Sequence, residues 1–128
     1  MQSLPLVLKV KAIKGKGRGK GLGIPTLNFA IPQELSITHG VYAGRLLIAD
    51  RFYPAAIHFG PRPVFSEADI SLEAYILNYF DENIKECKLE FVKFVREIRN
   101  FRNPQDMVQQ IELDVKEIKK ILKVKSSL

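Results

Sequence analysis

Residues 40–60 read GVYAGRLLIADRFYPAAIHFG. The runs Gly40 to Ala49 and Arg51 to Gly60 are apolar and β-rich, and they read as two strands of a hairpin turning around Ala49–Arg51. Pro54 has no N–H to give to a ladder, so the second strand is expected at a sheet edge or with a bulge. Further strand-like runs stand on either side. PLVLKVKAI (5–13) alternates apolar and charged residues around Val7, Lys9 and Lys11. IPTLNFAI (24–31) is short, with its start set by Pro25. SLEAYILNYF (71–80) and CKLEFVKFVREI (87–98) follow, the latter carrying Leu89, Phe91 and Val95. Six such runs joined by turns predict a small antiparallel barrel, whose closure removes the exposed edges the strands would otherwise present.

The pattern then changes. In NPQDMVQQIELDVKEIKKIL, Asn103 is a natural N-cap, Pro104 suits the first helical position, and Asp106 lies where the helix dipole favours an anion. Val108, Ile111, Val115, Ile118 and Leu122 recur at three- and four-residue spacing, and Lys119, Lys120 and Lys123 close the pattern. The expectation is a mainly β chain with one domain over 1–128: a six-stranded antiparallel barrel over about 5–101, a C-terminal α-helix over about 104–123, and a frayed tail KVKSSL.

Composition fits. The chain has 128 residues, 46% hydrophobic and 27% charged, the balance of a globular domain with one modest core. No stretch approaches the roughly 18 apolar residues of a membrane span, and the N-terminus lacks a signal-peptide pattern. Cys87 is alone, which fits a reducing, cytoplasmic setting, and it reads as a semi-buried strand residue. His39 and His58 read as ordinary, without other metal ligands beside them. A net charge of +6 points to anionic partners: nucleotides, nucleic acid or an acidic membrane surface.

The chemistry-bearing stretch is GKGRGKGLGIPTLN (15–28), with glycine at alternate positions from Gly15 to Gly23 and Lys16, Arg18 and Lys20 between them. Glycine lets backbone N–H groups point at a phosphate with no Cβ in the way, and the cations offset its charge. No GK[ST] closes the run ahead of a helix, and no βαβ unit follows, so neither a P-loop nor a dinucleotide fingerprint is present. A basic barrel loop and an RGG-like nucleic-acid segment stay open as readings. Thr26 and Asn28 stand two apart on an extended segment and project from one face. Their oxygens suit Mg²⁺, which takes one or two protein oxygens and completes its shell with phosphate and water. They equally suit a strand-start hydroxyl and a turn-forming amide.

At this point the residues resemble a known family. GKGRGKGLGIPTLNF is similar to the riboflavin kinase signature, a glycine-rich G-x-G-R-G run leading into L-G-[FI]-P-T-x-N. HGVYAGRLLI, IHFGPRPVF, LEAYIL, KFVREIRNF and QQIELD resemble later segments of that family in the same order, over about residues 10–120. The resemblance implies a Greek-key barrel with a C-terminal helix. It also implies transfer of the γ-phosphoryl of ATP to the 5′-hydroxyl of riboflavin, giving FMN and ADP. By matching positions, Gly17, Arg18, Gly19, Lys20, Gly21, Gly23, Pro25 and Thr26 would bind the nucleotide, Thr26 and Asn28 would hold Mg²⁺, and Glu73 would be the catalytic base. Arg96, Arg99 and Phe101 would meet the flavin, while Phe65, Tyr79 and Phe80 could face either the core or the flavin. The implied partners are the small molecules ATP and riboflavin, with no nucleic acid and no membrane. The implied state is a cytoplasmic monomer, or one half of a bifunctional FMN- and FAD-forming protein.

The chain departs from the family on the flavin side. His58 and Phe59 replace Asn-Ile, Val64 replaces a threonine, and Tyr75 replaces the histidine two residues after Glu73. Two other readings stand beside the kinase. One is a small basic barrel that grips nucleic acid with steep salt dependence, which has no need of the P-T-x-N segment or of Glu73. The other is a relative that binds flavin or nucleotide without turnover.

Overall fold

A computed structural model describes residues 1–15, 23–62, 67–78, 81 and 83–124. Most of the basic glycine run (16–22), Phe65, Tyr79, Phe80 and the tail beyond Val124 lie outside the described residues. Six strands are present: β1 (Leu6–Ile13), β2 (Leu27–Phe29), β3 (Gly40–Ile48), β4 (Arg51–Arg62), β5 (Glu67–Ile76) and β6 (Glu86–Arg96), followed by helix α1 (Pro104–Leu122). They close into an antiparallel barrel in the order β1-β2-β5-β4-β3-β6. The β3–β4–β5 meander therefore lies between β2 and β6, and β6 returns to seal the barrel against β1, which is a Greek-key path.

Alternation decides what faces in. On β5, Leu72, Ala74 and Ile76 are buried in the interior with Ile57 and Phe59 of β4, Leu27 and Phe29 of β2, and Leu89 and Phe91 of β6. The intervening residues face outward. One stretch of the outer wall is also covered. Ala43 of β3 and Ala56 of β4 are cross-strand partners. With Ile118 and Leu122 of α1 they form a second apolar cluster outside the barrel. Two methyl-sized side chains side by side let the helix lie close against the wall. The helix begins as the sequence predicts: the Asn103 side chain caps the Asp106 N–H at 2.9 Å, and Pro104 occupies the first turn.

β4 meets the bulge half of the Pro54 expectation, its register with β5 shifting between Gly60 and Arg62, though not at Pro54 itself. β4 lies between β3 and β5 and is no edge, and its ladder with β3 runs from Gly40↔Phe59 to Ile48↔Arg51 without a break. The β5 ladder starts only at Ala55↔Ile76, so Pro54 stands at the end of β5. There its carbonyl takes the Leu77 N–H at 2.9 Å, and no ladder bond calls for the N–H it lacks. β5 also starts at Glu67, earlier than Ser71, and ends at Ile76, before Tyr79.

One ion pair ties α1 to the barrel. Arg96, at the end of β6, places Nε 2.9 and 3.0 Å from the two Asp114 carboxylate oxygens and Nη2 2.9 Å from Oδ2. Gln110 adds a hydrogen bond to Asp114 Oδ1 at 3.0 Å. The Asp114 side chain is 3% exposed and that of Arg96 11%, so removing either partner leaves a buried charge uncompensated. Asp114→Ala is expected to cost about 3 kcal/mol of stability in urea unfolding, and Arg96→Met with Asp114→Leu much less. A loss under about 1 kcal/mol for Asp114→Ala would show that the pair is not the clamp described here.

Candidate active site

The antiparallel register sets one row of outward-facing positions across five strands. Asn28 of β2 stands opposite Glu73 of β5, and Glu73 opposite His58 of β4. His58 stands opposite Val41 of β3, and Val41 opposite Arg96 of β6. Helix α1 lies over part of this row through Ile111 and Asp114, leaving a narrow cleft of about 30 Å³ that Thr26, His58, Arg62, Glu73, Tyr75 and Arg96 also line. The site is thus on the outside of the barrel, between its wall and the helix.

Glu73 is the centre of the polar groups. Thr26 Oγ1 donates to Oε1 at 3.2 Å, while Arg62 Nε and Ser71 Oγ both donate to Oε2 at 2.8 Å. A carboxylate has about four acceptor positions, so Oε1 can take one further donor from the cleft. Burial pushes the Glu73 carboxyl up. The Arg62 charge and hydrogen bond, the nearby His58 and the Ser71 hydroxyl outweigh it and hold the group below its ordinary value. Glu73 is therefore an ionised, 14% exposed carboxylate beside a threonine hydroxyl.

Asn28 owes its position to a neighbour. A Cβ at Gly15 would occupy the space of the Asn28 side-chain amide. The first glycine of the run therefore leaves room for the amide, a purpose separate from backbone freedom. β1 and β2 pair here, Ile13 opposite Asn28, so the glycine run leaves one strand and re-enters the next beside the cleft. Of the residues expected to bind nucleotide, Gly17, Arg18, Gly19, Lys20 and Gly21 lie outside the described residues. Gly23 has a left-handed backbone (φ +79°), Pro25 is half-buried, and Thr26 is in the Glu73 contact.

Beside the cleft is a shallow recess of about 20 Å³, lined by His58, Arg62, Arg96, Arg99, Phe101 and Met107 among others. Arg99 is exposed and bonds Gln110 through Nη1 at 2.8 Å. Arg96 lies over the Phe101 ring, 5.9 Å from its centroid, with its guanidinium committed to Asp114 and, through Nη1, to the Glu97 carbonyl at 3.1 Å. The three residues expected to meet flavin are thus brought together, but each Arg96 nitrogen already has a partner in the protein.

Arg62, Ser71 and His58 were not singled out from the sequence as site residues. Ser71 and His58 could have been found from Glu73 by strand arithmetic: Ser71 is two residues away on the same strand face, and His58 is the cross-strand partner. His58 is 8% exposed. Its Nε2 lies 3.0 Å from the Gly60 carbonyl, so the tautomer with the proton on Nε2 is the one that can donate there. Ser71 Oγ also lies 3.3 Å from that carbonyl, but its one proton goes to the nearer, charged Glu73 oxygen. Gly60 itself has φ +143°, a conformation a side chain would strain, and its ideal Cβ would press on Ile98. Burial, then the Arg62 charge, lower the His58 pKa to about 4 despite the opposing pull of Glu73 and the Gly60 hydrogen bond, with Arg96 adding to the lowering.

Residues 3–122 match the family model described as flavokinase, riboflavin kinase. The chain belongs to the riboflavin kinase family. No curated protein matches the sequence. A solved structure from Streptococcus pneumoniae, named as a macrolide-efflux protein, superposes with a TM-score of 0.76 at 21% identity over 95% of this chain. The chain spans 40% of the length of that structure, and the likeness is one of fold. Among the described residues no helix is long and apolar enough to cross a membrane, and no three histidine, cysteine or acidic side chains form a metal-binding group. Membership of the riboflavin kinase family makes the Thr26, Asn28 and Glu73 neighbourhood the part of the fold to test for phosphotransfer.

His58 gives that neighbourhood a pH signature. Its folded pKa of about 4 is below the ordinary 6.5, so between those values the unfolded chain binds the proton that the folded protein refuses. Stability must fall as the pH drops through this window, whereas Glu73, held low, adds its own loss only as its carboxyl protonates at lower pH. Between pH 7 and pH 5 the protein is expected to lose about 2 kcal/mol more in urea unfolding than a His58→Asn variant loses. Equal pH slopes for the two would contradict a neutral buried His58.

Proposed function

We propose that the protein is a Mg²⁺- and ATP-dependent riboflavin kinase, transferring the γ-phosphoryl of ATP to the 5′-hydroxyl of riboflavin. The observation that carries this reading is the Thr26–Glu73 contact on the covered outer wall, next to the two ends of the glycine run. Phosphoryl transfer needs positioning and charge neutralisation more than covalent help from the protein. Glu73 accepts the hydroxyl of riboflavin through Oε1 and orients its oxygen toward the γ-phosphorus. As the new O–P bond forms, the bond to the β-phosphate oxygen breaks, its electron pair leaves with ADP, and the hydroxyl proton passes to the Glu73 carboxylate. A group held ionised by Arg62 is ready to accept that proton at neutral pH.

Thr26 and Asn28 fit the role of Mg²⁺ ligands. The Thr26 proton is directed at Glu73, which leaves the oxygen's lone pairs for a cation, and the Asn28 amide is accommodated by the missing Cβ of Gly15. Neutral oxygens suit an ion that arrives with its phosphates. When bound, Mg²⁺ would neutralise charge on the phosphate groups. Gly17 to Lys20, Gly21 and Gly23 would cover those phosphates with backbone N–H groups and cations, and Arg99 and Phe101 would face the flavin in the neighbouring recess. Arg96 serves this reading by fixing α1 over the cleft.

Incubation with riboflavin, ATP and Mg²⁺ is expected to yield FMN and ADP by chromatography. Glu73→Gln, which keeps the shape but cannot take the proton, should lower kcat by about 10²- to 10⁴-fold with the fold intact by circular dichroism. Turnover equal to the unsubstituted protein would remove Glu73 as the base. Gly15→Ala, which displaces the Asn28 amide, should raise the Mg²⁺ concentration needed for half-maximal rate; an unchanged Mg²⁺ dependence would exclude Asn28 as a ligand.

A further inference from the structure

Arg62 is a cation with unspent donors. Its Nε is used on Glu73 at 2.8 Å. Its Nη1 meets only the Met107 sulfur, a weak acceptor, at 3.8 Å, and Nη2 has no hydrogen-bond partner among the described residues. Yet the side chain is 17% exposed, and among the described residues no buried side-chain nitrogen lacks a partner. Nη2 therefore opens onto solvent, on a side chain that lines both the cleft and the recess. The other cleft arginine differs: all three Arg96 nitrogens are engaged by Asp114 and the Glu97 carbonyl.

We infer that Arg62 is a phosphoryl-binding residue of this site, its Nε holding Glu73 while its terminal nitrogens receive oxygens of the transferring group. The inference rests on the phosphotransfer reading above. Its physical basis is repulsion. A carboxylate base and an incoming phosphate are both anions, and a planar guanidinium placed against the first with its remaining donors free can bridge the second. The same placement brings positive charge to the equatorial oxygens, where charge spreads during transfer. In FMN the transferred phosphate ends on the flavin, so product and substrate differ by the group Arg62 would touch.

The test is binding of FMN and riboflavin, followed by quenching of flavin fluorescence, to the unsubstituted protein, Arg62→Lys and Arg62→Gln. Arg62→Gln is expected to weaken FMN by about tenfold or more, the scale of a charged hydrogen bond, and riboflavin by less than about twofold. Arg62→Lys, which keeps charge without the fork, should fall between. Carbon NMR should show the Glu73 carboxyl titrating higher in Arg62→Gln. A raised Glu73 titration with FMN and riboflavin affinities changed equally, or neither changed, would leave Arg62 as a positioning residue and overturn the phosphoryl contact. FMN production by the unsubstituted protein alongside that result keeps the kinase reading intact. Failure of the unsubstituted protein to form FMN sinks that reading, and the Arg62 inference with it.

Discussion

The site depends on strand register. Asn28, Glu73, His58, Val41 and Arg96 share one row because each strand pairs with its neighbour at a fixed offset. That offset is set from inside the barrel, where Leu72 and Ala74 flank Glu73 on the core side of β5. A slip of one residue would send Glu73 into the apolar interior and bring Leu72 out to the cleft. The cost of an ionised carboxylate in that interior is prohibitive, so core packing and site assembly are enforced by the same pairing.

Charge is distributed with equal economy. Two arginines line the cleft, and the protein uses them differently. Arg96 gives Nε and Nη2 to Asp114 and acts as a fastener between β6 and α1. Arg62 gives Nε to Glu73 and keeps it charged, with only the weak Met107 sulfur beside Nη1. His58, between them, stays neutral because burial and the two cations disfavour a third positive charge. The departures from family pattern at residues 58 and 75 fall on this same wall: His58 pairs with Glu73 and Tyr75 with Ala56 one row along, and both line the cleft.

Local pattern carried much of this architecture. Period-two alternation marked the strands, and the Asn103–Pro104 start with three- and four-residue apolar spacing marked α1 to within a residue of its observed end. The two-residue spacing of Thr26 and Asn28 placed them on one face. Glu73 was a strand carboxylate until the family resemblance gave it a role. What escaped is what depends on partners distant in sequence. Arg96 reads as a flavin-side cation until Asp114, on another element, is beside it. Pro54 reads as the mark of an edge or a bulge because its sequence does not reveal where β5 ends. Arg62 was one of twenty lysines and arginines, distinguished only by the strand that carries Glu73.

The paired alanines at positions 43 and 56 have a further consequence. They are the spacer against which α1 rests, and the same helix carries Ile111, Asp114 and Met107 to the walls of the cleft and recess. Their size therefore gauges the gap between roof and wall: a bulkier pair would jack the helix outward and widen the chamber, altering which guests it admits without touching any group that performs chemistry. Residues remote from the polar centre thus set the width of the space beside it.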